Sequence, residues 1–432
     1  MNNNIPSTNA PRIVVIGCGF GGLQLAKSLR NDDVQIVMLD KNNYHTFQPL
    51  LYQVSSAGLE ADSIAYPIRK IFKGQKNFHF RWCEVKRVLP NKKEIETNVG
   101  NLTYDYLVIA TGTTTNFFGI DGLAERAMPM KTVPEALNLR SLILQNFEKA
   151  LLTSDLELQK ALMTFVIVGA GPTGVELAGA LSELKKHVLP EDYPELDLRK
   201  MRVLLIESGK EVLQSLLPEN QQKSLLYLKE LGVEVWLNVR VTKYNGYTVY
   251  TATGKEITTA NLIWTAGVKG NIIEGFEENT IVRGRYLCNQ FNQIEGYENI
   301  FAIGDVALQK HEEKYPNGHP QVAPVAMQQG QLLARNITNQ LQQKEMKPFN
   351  YFDKGSMATI GRNKAVVQVG KMKFGGFFGW LVWMGLHLLM LVGFRNKIIV
   401  LINWIWNYLN YDRNIRLIIR PYEPKQHPLE NT

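Results

Sequence analysis

The chain has 432 residues, too many for one ordinary core, so two or three domains are expected. An apolar share of 45% with 20% charged residues excludes wholesale disorder. The formal charge of +8 calls for an anionic partner, and from Lys371 onward eight cations stand against three acids, interleaved with Trp, Phe and Leu. That mixture suits a lipid surface better than nucleic acid.

The opening residues, MNNNIPSTNA, carry neither a basic and apolar signal segment nor the arginines of a transit peptide, which predicts a core facing the cytoplasm. Three cysteines, Cys18, Cys83 and Cys288, lie far apart with no CxxC pair. A disulfide framework and a redox dithiol are therefore disfavoured, and a reducing compartment fits.

The first strong pattern is RIVVIGCGFGGLQLAKSL, residues 12 to 29. Its β-branched run predicts a buried parallel strand, its glycines a tight turn, and Leu23, Ala26 and Leu29 a helix. Gly17, Gly19 and Gly22 fit G-x-G-x-x-G. The first glycine permits the turn, the second lets backbone N–H groups approach a pyrophosphate, and the third lets helix and strand pack closely. Asp40 ends the next strand, VQIVMLD, 23 residues after Gly17. That is near the spacing for a carboxylate on a ribose hydroxyl.

The plan returns 152 residues later in TFVIVGAGPTGVELAGAL, with Gly169, Gly171 and Gly174. Its acid, Glu207, ends RVLLIE after an intervening insertion, KKHVLPEDYPELDLRKM. A carboxylate there favours a free 2′-hydroxyl, and no Arg follows it directly, so NADH is expected over NADPH. Lys210 reads as a solvated loop lysine.

Shorter segments, 104–112, 260–267 and 298–305, read as meander strands. The second closes on Gly267, assigned to the NADH site. A helix is predicted over 325–340. After Pro348 a strand pair (SMATIGR, AVVQVG) leads into an aromatic stretch from Phe374 to Tyr411, and residues after Pro421 read as disordered. His311 and His319 read as surface loop histidines, and no metal-site pattern is present.

Two dinucleotide units in one chain imply hydride exchange between dinucleotides, and FAD with NAD is the common pairing. Two strand-end motifs assign the flavin to the N-terminal unit. These are ATG (Thr111, Gly112) and FAIGD (Gly304, Asp305). Asp305 is placed to accept from a ribityl chain, and the helix after Ala323 to aim its positive end at the flavin edge. The fold class expected is α/β, with two Rossmann-like dinucleotide-binding domains and a C-terminal membrane-anchoring helical region. The boundaries expected are 11–120 with 288–350 for FAD, 121–287 for NADH, and 351–432 for the membrane.

The combination GCGFGG, DKNNYHTFQPLLYQV (Asp40 to Val54), ATG, GAGPTGVELAG, IWTAGV and FAIGD, with an aromatic C-terminus, resembles type II, non-proton-pumping NADH:quinone oxidoreductases. The resemblance runs roughly from Arg12 to Arg420. It implies hydride transfer from NADH to FAD and then two electrons to a membrane quinone, with Gln48, Pro49 and Leu50 close to the flavin ring. A family glutamate matches Glu176, which could deliver protons or position substrate. The family's quinone motif A-Q-x-A-x-Q-Q is matched from Ala323 to Gln329, except that Pro324 replaces the first glutamine. Gln328 is left as the better candidate.

Residues 374–394 form 21 positions without a formal charge, broken by five glycines and His387. Interfacial helices, a membrane span and a buried seam are all compatible with this run. Arg413, Arg416 and Arg420 follow at steps of three and four, the pattern of a basic amphipathic anchor helix. The resemblance implies peripheral, monotopic attachment, on the cytoplasmic face of a bacterial inner membrane. The rival readings are a soluble ferredoxin- or rubredoxin-type reductase, which needs no such tail, a sulfide:quinone oxidoreductase, which needs cooperating cysteines, and a membrane-bound NADH-binding scaffold with little turnover. Ubiquinone and menaquinone, and monomer and homodimer, remain open.

Overall fold

The computed structural model describes residues 4–410 and 415–423. The chain divides into two compact units, one of residues 1–46, 66–114 and 268–353, the other of 47–65, 115–267 and 354–432.

In the first unit, Arg12–Ile16 is the central strand of a five-stranded parallel sheet. It pairs with Gln35–Asp40 on one side and Tyr106–Ile109 on the other. Phe78–Trp82 and Ile300–Ala302 complete the edges. The alternation of the strand sends Val14 and Ile16 into a core shared with Val88, Ile95, Leu102 and Tyr286. Val15 points the other way, against the helix Phe20–Ser28. That helix and Ala323–Leu341 cross at two glycines, and a Cβ on Gly330 would press into the Gly21 carbonyl.

The second unit repeats the plan. Thr164–Val168 is flanked by Arg202–Ile206 and Asn261–Trp264, with Glu234–Trp236 and Met128–Pro129 outermost, all parallel. Val166, Val168, Leu204 and Ile206 pack against an antiparallel three-stranded sheet through Tyr244, Val249 and Ile257. A Thr132–Glu135 capping box starts the long helix Val133–Leu152, satisfying its otherwise orphaned first N–H groups.

The segments 104–112, 260–267 and 298–305 are corrected from meanders to parallel strands of the two central sheets. Their near-continuous apolar runs are what a strand buried on both faces requires. The helix expected over 325–340 is Ala323–Leu341.

The C-terminal part of the second unit is an antiparallel sheet, Ser356–Thr359, Ala365–Val369 and Met372–Gly375, followed by helices Gly376–Met390 and Phe394–Asn410. Gly393, at φ +88°, separates the helices in a conformation that favours glycine. No helix among the described residues is long and apolar enough to cross a membrane. At about 1.5 Å per residue, the 15 residues of Gly376–Met390 fall short of a hydrocarbon core of about 30 Å.

Asn396, Val400 and Trp404, spaced by four, form the inner stripe of the last helix. The Asn396 amide donates to the carbonyls of Asp62 and Ser63 at 2.9 and 3.1 Å. Leu389, Phe394, Ile402, Ile405 and Leu409 face outward.

The anchor helix drawn through three arginines is not found. Arg413 lies outside the described residues, and Ile415–Arg420 is not helical. Arg416 pairs with Asp192, and Arg420 donates to Asn138. Local protein partners have taken the cations that periodicity assigned to lipid. Of the residues expected to be disordered, Tyr422 exchanges two hydrogen bonds with the Gln145 amide, and 424–432 lie outside the described residues. His319 is also corrected, being buried with Nε2 2.6 Å from a Glu312 oxygen. His311 stays exposed, its Nε2 2.6 Å from the Phe349 carbonyl.

Candidate functional site

Each unit carries the same turn, built from the same bonds. The N–H of Gly17 donates to Leu39 O and that of Gly169 to Ile206 O, both at 2.8 Å. The very next N–H, of Cys18 and of Ala170 respectively, donates to Asp40 at 2.7 Å and to Glu207 at 2.8 Å. The other oxygen of each carboxylate accepts from the backbone two residues on, at Asn42 and Gly209. Burial raises the pKa of Asp40 against the lowering effect of those two N–H donors.

The glycines divide by what surrounds them. Gly17 and Gly169 have φ +104° and +102°. A Cβ on Gly22 would drive into the Gly17 carbonyl, and one on Gly174 into the Gly169 carbonyl. Gly19 and Gly171 differ from these. Neither has positive φ, and a Cβ on either would meet no protein atom within 4 Å. No protein neighbour requires glycine there, so the lack of a side chain leaves room for a bound group to reach the helix N–H groups. Both cradles therefore fit a dinucleotide pyrophosphate.

Around the first cradle, Thr111 and Gly112 are fastened by Asn271, whose amide donates to Thr111 O at 3.0 Å and whose N–H donates to Gly112 O at 3.0 Å. Gly304, at φ +74°, precedes Asp305, whose carboxylate accepts from the Thr113 hydroxyl at 3.3 Å. The roles of two supporting residues escape sequence reading. The buried Gln329 amide accepts from Gly304 N–H at 2.7 Å and donates to Gln309 at 2.8 Å. His45 is buried with Nδ1 2.8 Å from Cys18 O, and burial lowers its pKa to about 4. Gln329 was visible as the last glutamine of the A-Q-x-A-x-Q-Q motif, but nothing in the sequence signalled its bonds to Gly304 and Gln309.

Gln328, the glutamine expected near the quinone, donates its amide to Phe352 O at 2.9 Å and accepts from Phe352 N at 3.0 Å. Both polar ends hold the 349–353 segment.

In the second unit, Gly267 has φ +90°, and its Cα lies against the Phe118 ring. Glu207 follows the strand Arg202–Ile206 directly and is partly buried, and Lys210 is exposed. Gln48 and Pro49 open a short 3₁₀ helix, Gln48–Leu50, in which only Leu50 is buried.

A concavity in the second unit has a volume of about 120 Å³ and includes Tyr52, Gln53, Glu176, Thr359, Trp383 and Trp404. Glu176, in the first turns of Pro172–His187, is 8% exposed. Burial raises its pKa to about 8, opposed by the Thr359 N–H and the Trp383 indole. Glu183 and Arg362 also line the cavity, joined by a bond from the Arg362 N–H to the Glu183 carboxylate. The Arg362 guanidinium lies 4.0 Å over the Tyr408 ring.

A sequence model described as pyridine nucleotide-disulphide oxidoreductase matches residues 11–330, and one described as NDH2 C-terminal domain matches 354–411. The type II NADH:quinone oxidoreductase Ndh of Mycobacterium tuberculosis is 38% identical over 427 residues, 94% of this chain and 91% of its own. The chain belongs to the type II NADH:quinone oxidoreductase family. A member from Staphylococcus aureus is 30% identical, over 83% of this chain and 89% of its own. The fold is that of the NDH2 of Plasmodium falciparum solved in complex with NADH, with a TM-score of 0.87 at 20% identity, covering 95% of this chain and all of that one. A sulfide:quinone oxidoreductase from Aquifex aeolicus is more distant, with a TM-score of 0.70 at 20% identity over 90% of this chain and 92% of its own.

Two predictions follow from this geometry. Gly22→Ala should fail to fold, whereas Gly19→Ala should keep the circular dichroism of the wild type and purify without its yellow chromophore. A Gly19→Ala protein that retains full flavin content would refute the cradle. Because the Glu176 pKa is raised to about 8 from an unfolded value near 4.5, its contribution to stability is fully present below pH 4.5 and is lost as pH rises through 8. Glu176→Gln should remove that slope, so the gap in thermal midpoint between variant and wild type should widen from pH 5 to 8.

Proposed function

We propose that the chain oxidises NADH and reduces a membrane quinone, with FAD as its resident cofactor. The observation that carries this reading is the pair of open glycine cradles in one polypeptide, each closed by a carboxylate. The N-terminal cradle, with Asp40, Thr111, Gly112, Gly304 and Asp305, holds FAD. The second, with Gly169, Gly171, Gly174, Glu207 and Gly267, holds NADH. The acid at Glu207 accepts from a 2′-hydroxyl and repels a 2′-phosphate.

Bound flavin supplies the two-electron relay between NADH and quinone. The chain's own residues supply alignment and protons. NADH and one solvent proton convert quinone to quinol and leave NAD⁺. Glu176, protonated at neutral pH, gives that proton at the cavity and regains it from water. Its raised pKa keeps the donor loaded at working pH without making release prohibitive. Tyr52, Trp383 and Trp404 provide a ring-shaped apolar enclosure.

The outward face of the last two helices, Phe377, Phe378, Leu389, Phe394, Ile402 and Leu409 among it, rests on the bilayer surface. The nucleotide-binding units then lie on the cytoplasmic side, where NADH is. A sulfide:quinone activity is not favoured. Cys18, Cys83 and Cys288 are all buried and free, and burial pushes Cys83 to about 11 and Cys288 to about 12. Thiols so protonated are poor nucleophiles.

Anaerobic NADH should bleach the flavin absorbance, and menadione or a short-chain ubiquinone should restore it. Bleaching without restoration would remove the quinone assignment. Leu389→Glu with Phe394→Glu should abolish flotation with anionic liposomes while the thermal midpoint holds. A variant that still floats would place the attachment elsewhere.

A further inference from the structure

Three indoles, Trp380, Trp383 and Trp404, line the cavity, and the two that are buried differ in one respect. The Trp404 N–H donates to the Gln53 amide oxygen at 2.8 Å. The Trp383 N–H has no hydrogen-bond partner, although the residue is only 1% exposed. It is turned toward the Glu176 carboxyl without closing a bond of ordinary geometry. A buried donor left unpaired is unfavourable, so its persistence on a cavity wall asks for a partner.

The ring cannot easily turn to find one in the protein. Trp383 stacks on His387 with centroids 4.1 Å apart and planes 25° from parallel, and packs tilted against Trp404 at 5.9 Å. His387 is itself fixed, Nδ1 lying 2.7 Å from the Trp383 carbonyl. Burial lowers its pKa to about 4, so it stays neutral and adds no charge behind the indole. An aromatic enclosure with one fixed N–H donor beside one carboxylic acid matches a flat ring bearing a carbonyl oxygen.

We propose that the Trp383 indole N–H donates to a carbonyl oxygen of the quinone in this cavity and fixes the ring for proton transfer from Glu176. This rests on the quinone reading given above. The donor makes Trp383 a residue that selects quinones over acceptors lacking a carbonyl.

The test compares acceptors on the flavin-loaded enzyme. Trp383→Phe keeps the ring and removes the donor. The rate of anaerobic flavin reduction by NADH should be unchanged, as should turnover with ferricyanide, which accepts electrons without a carbonyl contact. The kcat/KM for menadione should fall about tenfold, the size of one neutral hydrogen bond. The Glu176-dependent limb of the quinone pH profile should move upward, since a donor that favours the carboxylate is gone. The other titratable groups around the cavity, Glu183, Arg362, Tyr52, Tyr408 and His387, are left in place by this substitution.

A variant with wild-type menadione kinetics would overturn the proposal. So would equal losses with menadione and ferricyanide, which would mark a packing role. If neither wild type nor variant is reoxidised by menadione while ferricyanide works, the quinone reading itself fails. A measurement on the unaltered protein stands beside the variant. With ¹⁵N-labelled tryptophan, one of the seven indole signals should shift downfield when menadione is added, and a spectrum without that shift would also overturn the proposal.

Discussion

In each unit the distance between a strand and the helix that follows it is set by glycine. The third glycine of each motif has its Cα against the carbonyl of the first, and no side chain fits between them. That contact fixes where the helix begins, and the helix start fixes where its free N–H groups point. Asp40 and Glu207 then lock the turn from the neighbouring strand by accepting the Cys18 and Ala170 N–H groups. The carboxylates thus have two duties. They brace the empty cradle, and they stand at the strand end where a ribose would lie. Backbone positions 152 residues apart repeat these bonds nearly atom for atom, so one solution to packing helix on sheet serves both nucleotide sites.

Electrostatics sets the second half of the chemistry. A carboxyl at the foot of an apolar cavity is costly to ionise, and the Thr359 N–H together with the nearby Trp383 indole, which closes no bond of ordinary geometry, offsets part of that cost for Glu176. The balance leaves a proton that is held at neutral pH and can still be given up. Placing it near the start of the helix of the second glycine turn couples the second cradle to the cavity through one rigid element. The C-terminal helices form the rest of that cavity, so they wall the site as well as presenting an apolar outer face. Asn396 and Trp404 tie the last helix to the 47–65 segment.

Sequence patterns located the glycine turns, their carboxylates and the 323–341 helix because each depends on local geometry or short-range periodicity. Glu176 was visible through its position after the second turn. Trp383 was not, because an indole in a run of aromatic residues looks the same whether it faces lipid or a cavity. Gln328 and Gln329 sit side by side in one motif, and nothing local says that one straps Phe352 while the other props Gly304. The arginines near the C-terminus misled for a related reason. Spacing of three and four is shared by a helical face and by a non-helical segment whose Arg416 and Arg420 find separate partners in Asp192 and Asn138.

By itself, then, the order of residues determined that two nucleotide-binding turns exist, which strands and helices carry them, and that the C-terminus is rich in rings and cations. These follow from the steric demands of glycine and the period of apolar residues, which neighbours in sequence enforce. Only the tertiary structure decided which short strands joined the parallel sheets, which glutamine was structural, which arginines were spent on Asp192 and Asn138, and which indole kept its N–H unpaired beside Glu176. Those outcomes depend on who meets whom across hundreds of residues, and burial of one group by another cannot be read from either alone.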